Sequence, residues 1–223
     1  MPWSESVSGA MGGVRQVNLA LVMLCVLLAL PTIALQENED QLNKDEGVVD
    51  KLIPGTTEGN YSWVEWGSVA MCPLGSFAFA FRLKTEPVML LGDFTGLNGI
   101  TLYCQEKSTG KLRPCVTSKI GKWGLWGDIF MCAAGFLKGA RMRVEQPWEA
   151  PRGDKSAVNN VAMECQDGER MVGDGTNRGQ WGEWQECPEG SAICGLATQV
   201  VPPQPIFADD VSLISAAFYC CRI

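Results

Sequence analysis

The sequence is dominated by one pattern that occurs three times between residues 61 and 223. Each copy contains a Trp-x-x-Trp motif, a cysteine, an alternating stretch that ends at a proline, and a second cysteine. The two cysteines are 32, 33 and 33 residues apart, and the tryptophan motifs recur after 60 and then 58 residues. A period of this length indicates one supersecondary unit per copy, with units that bury their apolar faces against one another. We place the copies at about 61–113, 114–172 and 173–223.

Each copy has the alternation that is typical of β-strands. Apolar residues recur at every second position in residues 77–84, 99–104, 137–144 and 161–165, with proline and glycine turns between them. After the N-terminal apolar run, no stretch offers a helical face of 12 residues. We expect an all-β fold of three antiparallel sheets closed around a shared core. A three-bladed propeller is the poorer alternative, because propellers have at least about four blades.

The chain has ten cysteines, and eight of them occupy matching places in the repeat or lie in its last copy. Equivalent cysteines should pair alike, and the predicted disulfides are Cys72–Cys104, Cys132–Cys165, Cys187–Cys220 and Cys194–Cys221. The exchanged pairs Cys187–Cys221 and Cys194–Cys220 remain open, because two of these residues are adjacent. Cys115 is left without an equivalent and is predicted to be unpaired. A cysteine-ligated zinc site is disfavoured, since extracellular cysteines oxidise and the chain has no Cys-x-x-Cys motif.

The N-terminus indicates export. Residues 17–30 form an apolar run after Arg15, and Pro31 and Ala34 follow it, which predicts a signal peptide over residues 1–34. The alternative is an uncleaved membrane anchor, but the run is shorter than the ~20 residues that span a bilayer. Residues 35–60 are rich in Asp and Glu and are predicted to be a disordered acidic arm, before a single domain over 61–223. Asn60 begins a glycosylation sequon.

The absence of histidine removes several kinds of site. The chain cannot form a Ser-His-Asp or Cys-His catalytic group, or a zinc site that contains histidine. It has 18 Lys and Arg against 25 Asp and Glu, a net charge of −7, so we expect no nucleic-acid partner. We also expect no cofactor, no metal and, after signal cleavage, no membrane span.

Together, the repeated Trp-x-x-Trp, the Gly-Asp-x-x-x-Leu-Asn-Gly run at 92–99 and the ending at Phe218–Cys221 resemble the vitelline membrane outer layer protein 1 family. This resemblance implies a β-prism I fold, in which three Greek-key sheets surround a pseudo-threefold axis. It also implies secretion, a place in the outer layer of an egg envelope, and ovomucin and lysozyme as partners. A lysozyme-like transfer of N-acetylchito-oligosaccharides has been proposed for the family.

Residues that all three copies share are interpreted as structural. We expect the tryptophans of the three motifs to pack in the core or between sheets, and the Asp of each Gly-Asp or Ala-Asp pair to form a turn. Those residues are Trp63, Trp66, Trp123, Trp126, Trp181 and Trp184, with Asp93, Asp154 and Asp209. Asn98 and Asn159 are expected to satisfy buried backbone groups, and Ile214 replaces them in the third copy.

A functional site should break the symmetry. Glu86 and Glu145 match in two copies, and Val201 replaces them in the third. Glycosyl transfer needs two carboxyl groups about 5–9 Å apart, and these two glutamates with Asp93 and Asp154 are the candidates. The other interpretation makes each glutamate an exposed residue or a partner of Arg82, Arg141 or Arg143.

We interpret the chain as a secreted structural component of an extracellular coat that contacts glycans or glycoproteins. The first alternative is a carbohydrate-binding, lectin-like module, and the second is a transglycosylase that uses carboxylates. The enzyme is the less favoured of these, because it depends on the resemblance more than on the residues.

Overall fold

The chain folds into strands, with no helix among the residues that can be described. The structure is a computed structural model that describes residues 47–59, 61–87, 94–147, 149, 156–204 and 210–223. The first sheet contains β3 (Ser76–Thr85), β4 (Leu97–Glu106), β5 (Leu112–Thr117), β6 (Leu125–Trp126) and β7 (Phe130–Met131). The second contains β8 (Leu137–Val144), β9 (Val158–Cys165), β10 (Arg170–Val172), β11 (Gln180–Trp181) and β12 (Gln185–Glu186). The third contains β1 (Val48–Leu52), β2 (Ala70–Met71), β13 (Ser191–Val200) and β14 (Leu213–Arg222).

Each sheet is a Greek key built on a long hairpin. In the first sheet the strand order is β5-β4-β3-β6. Strands β3, β4 and β5 pair in sequence, and the fourth strand, β6, returns to pair with β3. The second sheet repeats this order with β10-β9-β8-β11, and the third with β1-β14-β13-β2. All pairings are antiparallel. The expectation of an all-β prism of three Greek-key sheets is confirmed.

The core lies where the three hairpins meet. Strands β3, β8 and β13 contact one another pairwise around the pseudo-threefold axis. Their inward side chains are fully buried, as are those of the second hairpin strands, and they form one continuous apolar cluster: Phe81, Leu83, Leu102, Met142, Met163, Ile193, Leu196 and Phe218. Short crossing segments such as β6–β7 cover part of the outer faces, so both faces of the hairpins are largely buried.

The third sheet is assembled from the two ends of the domain. Strand β1 pairs with β14, with Leu52 opposite Phe218, and Leu52 is buried. The predicted disordered arm is therefore wrong for its last part, and the domain begins before residue 61, because β14 needs an outer partner strand. The predicted signal peptide and the sequon residue Asn60 lie outside the described residues.

The third tryptophan motif is shifted by three residues relative to the other two, so that its first tryptophan takes the place of their second. Trp66, Trp126 and Trp181 pair with equivalent positions of the three hairpins, and a cysteine follows each of them six residues later. The glycine after each tryptophan donates its N–H to the carbonyl of the hairpin residue just before the tryptophan's pairing partner, at 2.8–2.9 Å. The predicted alignment of Trp181 with Trp123 is therefore wrong, and Arg178 occupies that place.

The sequence copies also differ from the folded units. Each tryptophan segment pairs with the hairpin that precedes it in the chain, and the segment at 63–71 pairs with the last hairpin. The folded units are therefore 76–131, 137–186 and the joined ends at 48–71 and 191–222. The third sheet thus joins the beginning and the end of the domain and closes the three units around one axis.

Three disulfides join neighbouring sheets into a covalent ring. Each bond joins a cysteine that follows the last short strand of one sheet to a cysteine in the second hairpin strand of the next sheet. The pairs are Cys72–Cys104, Cys132–Cys165 and Cys187–Cys220. A fourth, Cys194–Cys221, connects β13 and β14 within the third sheet. These are the pairs that the repeat predicts. Cys115 is also disulfide-bonded, so its prediction as an unpaired residue is wrong; it has no repeat equivalent from which a bond could be foreseen.

In the part of the chain that the structure covers, no helix has the length and apolar character needed to cross a membrane.

Replacing Cys132 and Cys165 by alanine should lower the free energy of unfolding by about 3–4 kcal/mol, because the unfolded chain loses a loop constraint of 33 residues. It should also speed hydrogen exchange at the Cys132 N–H, which bonds to the Phe79 carbonyl at 3.0 Å beside the lost bridge.

The control removes Cys194 and Cys221, whose loop of 27 residues gives a similar unfolded-state effect. This control should leave exchange at residue 132 unchanged. Equal exchange at that site in the two variants would contradict a specific role of the ring in holding the first and second sheets together.

Candidate functional site

The two predicted carboxylates that the structure describes, Glu86 and Glu145, lie at the end of the prism opposite the disulfide ring. Strand β4 carries Asn98 near one end and the ring cysteine Cys104 near the other, roughly 20 Å apart at the rise of an extended strand. Glu86 follows β3 and Glu145 follows β8 at the Asn98 end. Asp93, Asp154 and Asp209 lie outside the described residues.

Glu86 belongs to a hydrogen-bond network that closes the first hairpin. Its carboxylate accepts bonds from the Thr95 hydroxyl at 2.6 Å and the Thr95 N–H at 3.1 Å. The Asn98 amide donates to the Thr95 hydroxyl at 2.7 Å and to the Gly96 carbonyl at 3.2 Å. Asn98 also accepts a bond from the Trp123 N–H at 3.2 Å. The network therefore ties the hairpin turn to the next crossing segment.

Glu145 forms the same network in the second hairpin and is more deeply buried. Its carboxylate accepts from the Ser156 hydroxyl at 2.7 Å, and Asn159 donates to that hydroxyl at 2.8 Å. The Asn159 amide also donates to the carbonyl of Ala157 at 3.1 Å, and the Ala157 backbone is left-handed with φ 55°. The second carboxylate oxygen accepts from Arg178 at 3.0 Å. The ion partner is Arg178 rather than Arg82, Arg141 or Arg143.

The third hairpin replaces the whole network with apolar side chains. The bond from the Val201 N–H to the Ser212 carbonyl matches those of the two glutamates, so the three positions are equivalent. Val201 replaces the glutamate, Val211 replaces Thr95 or Ser156, and Ile214 replaces the asparagine. These three apolar residues pack together in one buried cluster. The change is coordinated, because any one polar member without its partners would be buried and unsatisfied.

This arrangement explains the two glutamates structurally. Glu145 is 4% exposed, and both of its oxygens already accept hydrogen bonds. Glu86 is half-buried and is bonded within its own hairpin. Each carboxylate thus acts inside a separate turn. Thr95 and Ser156 were missed by the sequence reasoning, although they follow the glutamates by 9 and 11 residues and precede the asparagines by three.

One group of potential metal ligands occurs among the described residues. The ligand atoms of Cys165, Asp167 and Glu169 lie within 4.8 Å of one another. The Cys165 sulfur is bonded to Cys132, and Glu169 accepts a bond from the Ala133 N–H. We therefore assign no metal site to this group.

The six tryptophans of the motifs lie on the outer faces of the prism. Trp63 is 55% exposed, Trp66 is 42% exposed and Trp123 is 38% exposed, and the others are half-buried. The prediction was that these residues pack in the core or between sheets, and it is wrong for the core, because none of the six belongs to a buried apolar cluster. They belong to the crossing segments, which lie on the outside of each hairpin, whereas the hairpins themselves fill the centre.

Cationic side chains stack on these outer rings. The Arg82 guanidinium lies 4.8 Å from the Trp126 ring in the first sheet, and Arg141 lies 4.8 Å from the Trp181 ring in the second. The two arginines occupy equivalent positions on β3 and β8, because each lies four residues before the glutamate that follows its strand. In the third sheet that position is Ala197.

The second sheet extends its stack into an ion-pair group around Glu164. Arg170 lies 4.6 Å from the Trp184 ring and 2.6 Å from the Glu164 carboxylate, which also pairs with Lys138 at 3.0 Å. Burial would raise the pKa of the Glu164 carboxyl, but the hydrogen bonds from Lys138 and Arg170 outweigh it and hold the pKa below its ordinary value. The hydrogen bond to Glu164, with a second one to Glu186, raises the pKa of Lys138 although burial lowers it.

The third sheet carries an open slot where the other two carry an arginine. We call it the Trp66 slot. Its volume is about 350 Å³, including space that is open to solvent. The lining residues are Lys51, Ile53, Trp66, Gly67, Val69, Ala197, Ala217 and Tyr219. Of these residues Trp66 is 42% exposed, whereas Tyr219 and Ala197 are buried. Comparing Ala197 with Arg82 and Arg141 in the sequence could have revealed this difference.

A wider groove runs along the other side of Trp66. We call it the Glu65 groove. Its volume is about 1080 Å³, including space that is open to solvent, and it lies between residues 65–70 and residues 117–119. Its exposed polar side chains include Glu65, Thr117 and Lys119. An exposed indole beside hydroxyl and charged groups suits a ligand with one apolar and several polar edges.

Converting Glu86, Thr95 and Asn98 together to valine, valine and isoleucine should lower the free energy of unfolding by less than the sum of the three single changes. Each single change leaves a buried polar partner unsatisfied, whereas the triple change copies the third hairpin. Urea unfolding should show a coupling of about 0.5–3 kcal/mol. Additive effects would contradict the coordinated replacement.

Replacing Glu164 by glutamine should destabilise the protein at pH 7, with the difference shrinking as the pH falls below the ordinary pKa of a glutamate and through the folded pKa of Glu164. A folded pKa below the ordinary value means that the stabilisation is present above the unfolded pKa and is lost as the pH falls through the folded one. Glu186→Gln is the control, since that carboxylate is 45% exposed and pairs with the same Lys138. A pH-independent effect of Glu164→Gln would contradict this assignment.

Comparisons with known proteins identify the family of the chain. A family model described as Vitelline membrane outer layer protein I matches residues 55–223. The vitelline membrane outer layer protein 1 homologs of Homo sapiens and Mus musculus are each 40% identical over 163 residues. This covers 72% of the present chain in both comparisons, with 78% of the human protein and 79% of the mouse protein.

Among solved structures, similarity is lower. Calystegia sepium agglutinin has a TM-score of 0.48 and 10% identity, over 79% of this chain and 98% of the agglutinin. The V. cholerae biofilm matrix protein Bap1 has a TM-score of 0.47 and 10% identity, over 79% of this chain and 24% of Bap1. We infer no function from similarity of this degree. The match over residues 55–223 and the 40% identity show that the chain belongs to the vitelline membrane outer layer protein I family.

Proposed function

We propose that the chain is a secreted structural component of an extracellular coat that contacts glycans or glycoproteins. The observation that carries the proposal is the disulfide ring, which joins all three sheets covalently at one end of the prism. Disulfides persist in oxidising compartments, and they stabilise a fold that must last outside the cell. The predicted signal peptide at residues 1–34 and the predicted glycosylation of Asn60 support the same location.

The outer surface supports contact with sugar-bearing partners. The Glu65 groove places the exposed Trp66 ring beside carboxylate, hydroxyl and ammonium groups. The apolar face of a pyranose can pack on an indole ring, while its hydroxyl groups bond to the polar groups around it. Ovomucin, a glycoprotein, and lysozyme are the partners that the family resemblance suggests.

A lectin-like module is the second candidate function. It is favoured by the three exposed tryptophans, of which Trp63 is the most exposed at 55%. A structural coat protein and a lectin differ in selectivity: the first binds a glycoprotein surface broadly, whereas the second discriminates among glycans. We do not propose glycosyl transfer, because Glu86 and Glu145 are engaged in separate hairpin turns.

Removing the charges of the groove should weaken retention on an immobilised mucin-type glycoprotein by about tenfold, the effect of losing one or two exposed polar contacts with a ligand. The test variant is Glu65→Ala with Lys119→Ala, since both side chains are exposed in the groove. Surface plasmon resonance on intact and deglycosylated mucin measures the retention.

The matched control is Lys107→Ala with Glu189→Ala, two exposed charges of opposite sign outside the groove. It should bind like the parent. A glycan array separates the two functions: broad weak binding supports the coat component, and one selected glycan supports the lectin. Equal retention on intact and deglycosylated mucin, with no array signal, is incompatible with any glycan contact.

A further inference from the structure

The Trp-x-x-Trp spacing occurs three times, but the fold does not use the three copies alike. In the first two motifs the second tryptophan, Trp66 or Trp126, pairs with the hairpin strand. In the third motif the first tryptophan, Trp181, takes that place. A packing requirement would keep a tryptophan at one place in each unit, whereas here the spacing recurs while its place in the fold shifts by three residues. The spacing therefore indicates a requirement that applies to the chain before it folds.

The first tryptophans of the leading two motifs are not explained by packing. Trp63 is 55% exposed and Trp123 is 38% exposed, and neither belongs to a buried apolar cluster. In the second unit Arg178 occupies the place that Trp123 has in the first, so the fold accepts a different side chain there. A large apolar ring that stays in water contributes little to stability, because the stabilisation comes from the area that is buried.

We propose that the first tryptophan of each motif, namely Trp63, Trp123 and Trp181, is C-mannosylated as the chain enters the secretory pathway. Transferases of that compartment recognise a tryptophan that is followed three residues later by a second one, and they attach a mannose to the first ring. They act on the unfolded chain, which accounts for a spacing that recurs while its place in the fold changes. This inference rests on the proposed secretion, since the transferases and their sugar donor are in the secretory compartment.

The modification joins two carbon atoms. Carbon C2 of the indole is electron-rich, because the ring nitrogen donates its lone pair into the adjoining double bond. This carbon attacks the anomeric carbon of a lipid-linked mannosyl phosphate. The new C–C bond forms as the anomeric C–O bond breaks, and the electron pair of the broken bond leaves with the lipid phosphate. The proton on C2 passes to a base, which restores the aromatic ring, so the products are mannosyl-tryptophan, the lipid phosphate and one proton.

The folded surface is compatible with a sugar at these positions. The rings of Trp63 and Trp123 already face water, so a hexose on either ring adds polar groups to an exposed surface. The neighbouring cations lie over ring faces: the Lys122 ammonium is 4.4 Å from the centre of Trp123, and the Arg141 guanidinium is 4.8 Å from the centre of Trp181. Carbon C2 is at the edge of the indole, so the sugar and the cation use different parts of the ring.

The test uses the full chain, secreted by cultured mammalian cells and purified from the medium. Peptide mass spectrometry should find the mass of one hexose on each of Trp63, Trp123 and Trp181. The hexose should stay on the tryptophan during collisional fragmentation, because a C–C bond joins it to the ring and an O-glycosidic bond would break.

The pattern of modified residues separates recognition of the spacing from modification of whatever is exposed. Trp66 is 42% exposed but is followed three residues later by Val69, so it should carry no hexose. Trp181 is only half-buried to the same solvent but is followed three residues later by Trp184, so it should carry one.

Three variants test the spacing in the first sheet. Trp126→Phe removes the second tryptophan and should abolish the hexose on Trp123, with the other two motifs as internal references. Leu125→Ala is the matched control, because Leu125 is 78% exposed within the same motif and its replacement keeps the spacing. Ile120→Trp, at a position that is 45% exposed, places a tryptophan three residues before Trp123 and should add a hexose at position 120.

Three results would overturn the proposal: no hexose on the three first tryptophans of the secreted chain, an unchanged hexose on Trp123 in Trp126→Phe, or a hexose on Trp66 but not on Trp181. If Trp126→Phe fails to fold and reach the medium, the gain at position 120 in Ile120→Trp still decides the question. A parent chain that stays inside the cell contradicts the proposed secretion, whereas a secreted chain with unmodified tryptophans contradicts this inference alone, so the two failures are distinguishable.

Discussion

Closure of the third sheet is the constraint on which the rest of the molecule depends. Strand β1 and the segment up to β2 come from the beginning of the domain, and β13 and β14 come from its end. Their pairing turns three consecutive hairpins into a circle, so every hairpin has a covered outer face and a neighbour on each side. The ring of Cys72–Cys104, Cys132–Cys165 and Cys187–Cys220 makes the same circle covalent. Without closure, β14 would expose an unpaired edge.

Within this circle, symmetry separates what every unit needs from what one unit does differently. The core positions of the three hairpins are apolar throughout, whereas the turn at the far end alternates between two solutions. Glu145, Ser156 and Asn159 satisfy one another in the second unit, and Val201, Val211 and Ile214 fill the same volume in the third. Both solutions are self-consistent, because a buried polar group is tolerated only with its partners. The departure at Ala197 differs in kind, since a small buried residue replaces the arginine that stacks on tryptophan in the other two units.

Much of the architecture could be predicted from the sequence. The alternation at residues 137–144 coincides with β8, and cysteine equivalence leads to the disulfide ring. The outer tryptophans were less accessible to prediction. A tryptophan that recurs three times suggests core packing, but Trp66 is exposed and Trp126 stacks with Arg82 on the outside. This placement depends on which segment crosses which hairpin. The third motif was misaligned because its two tryptophans imitate the spacing of the others, although the distance from Trp181 to Cys187 carried the correct register.

By itself the sequence determined the strand periodicity, the number of units and the family, since these depend on local alternation and on residues that recur at fixed intervals. The tertiary structure alone decided that residues 48–52 belong to the third sheet, that Arg178 is the partner of Glu145, and that Trp66 is exposed on the outside of the third sheet. Each of these depends on contacts between segments far apart in the chain. Their partners are chosen by closure of the circle, which no local pattern records.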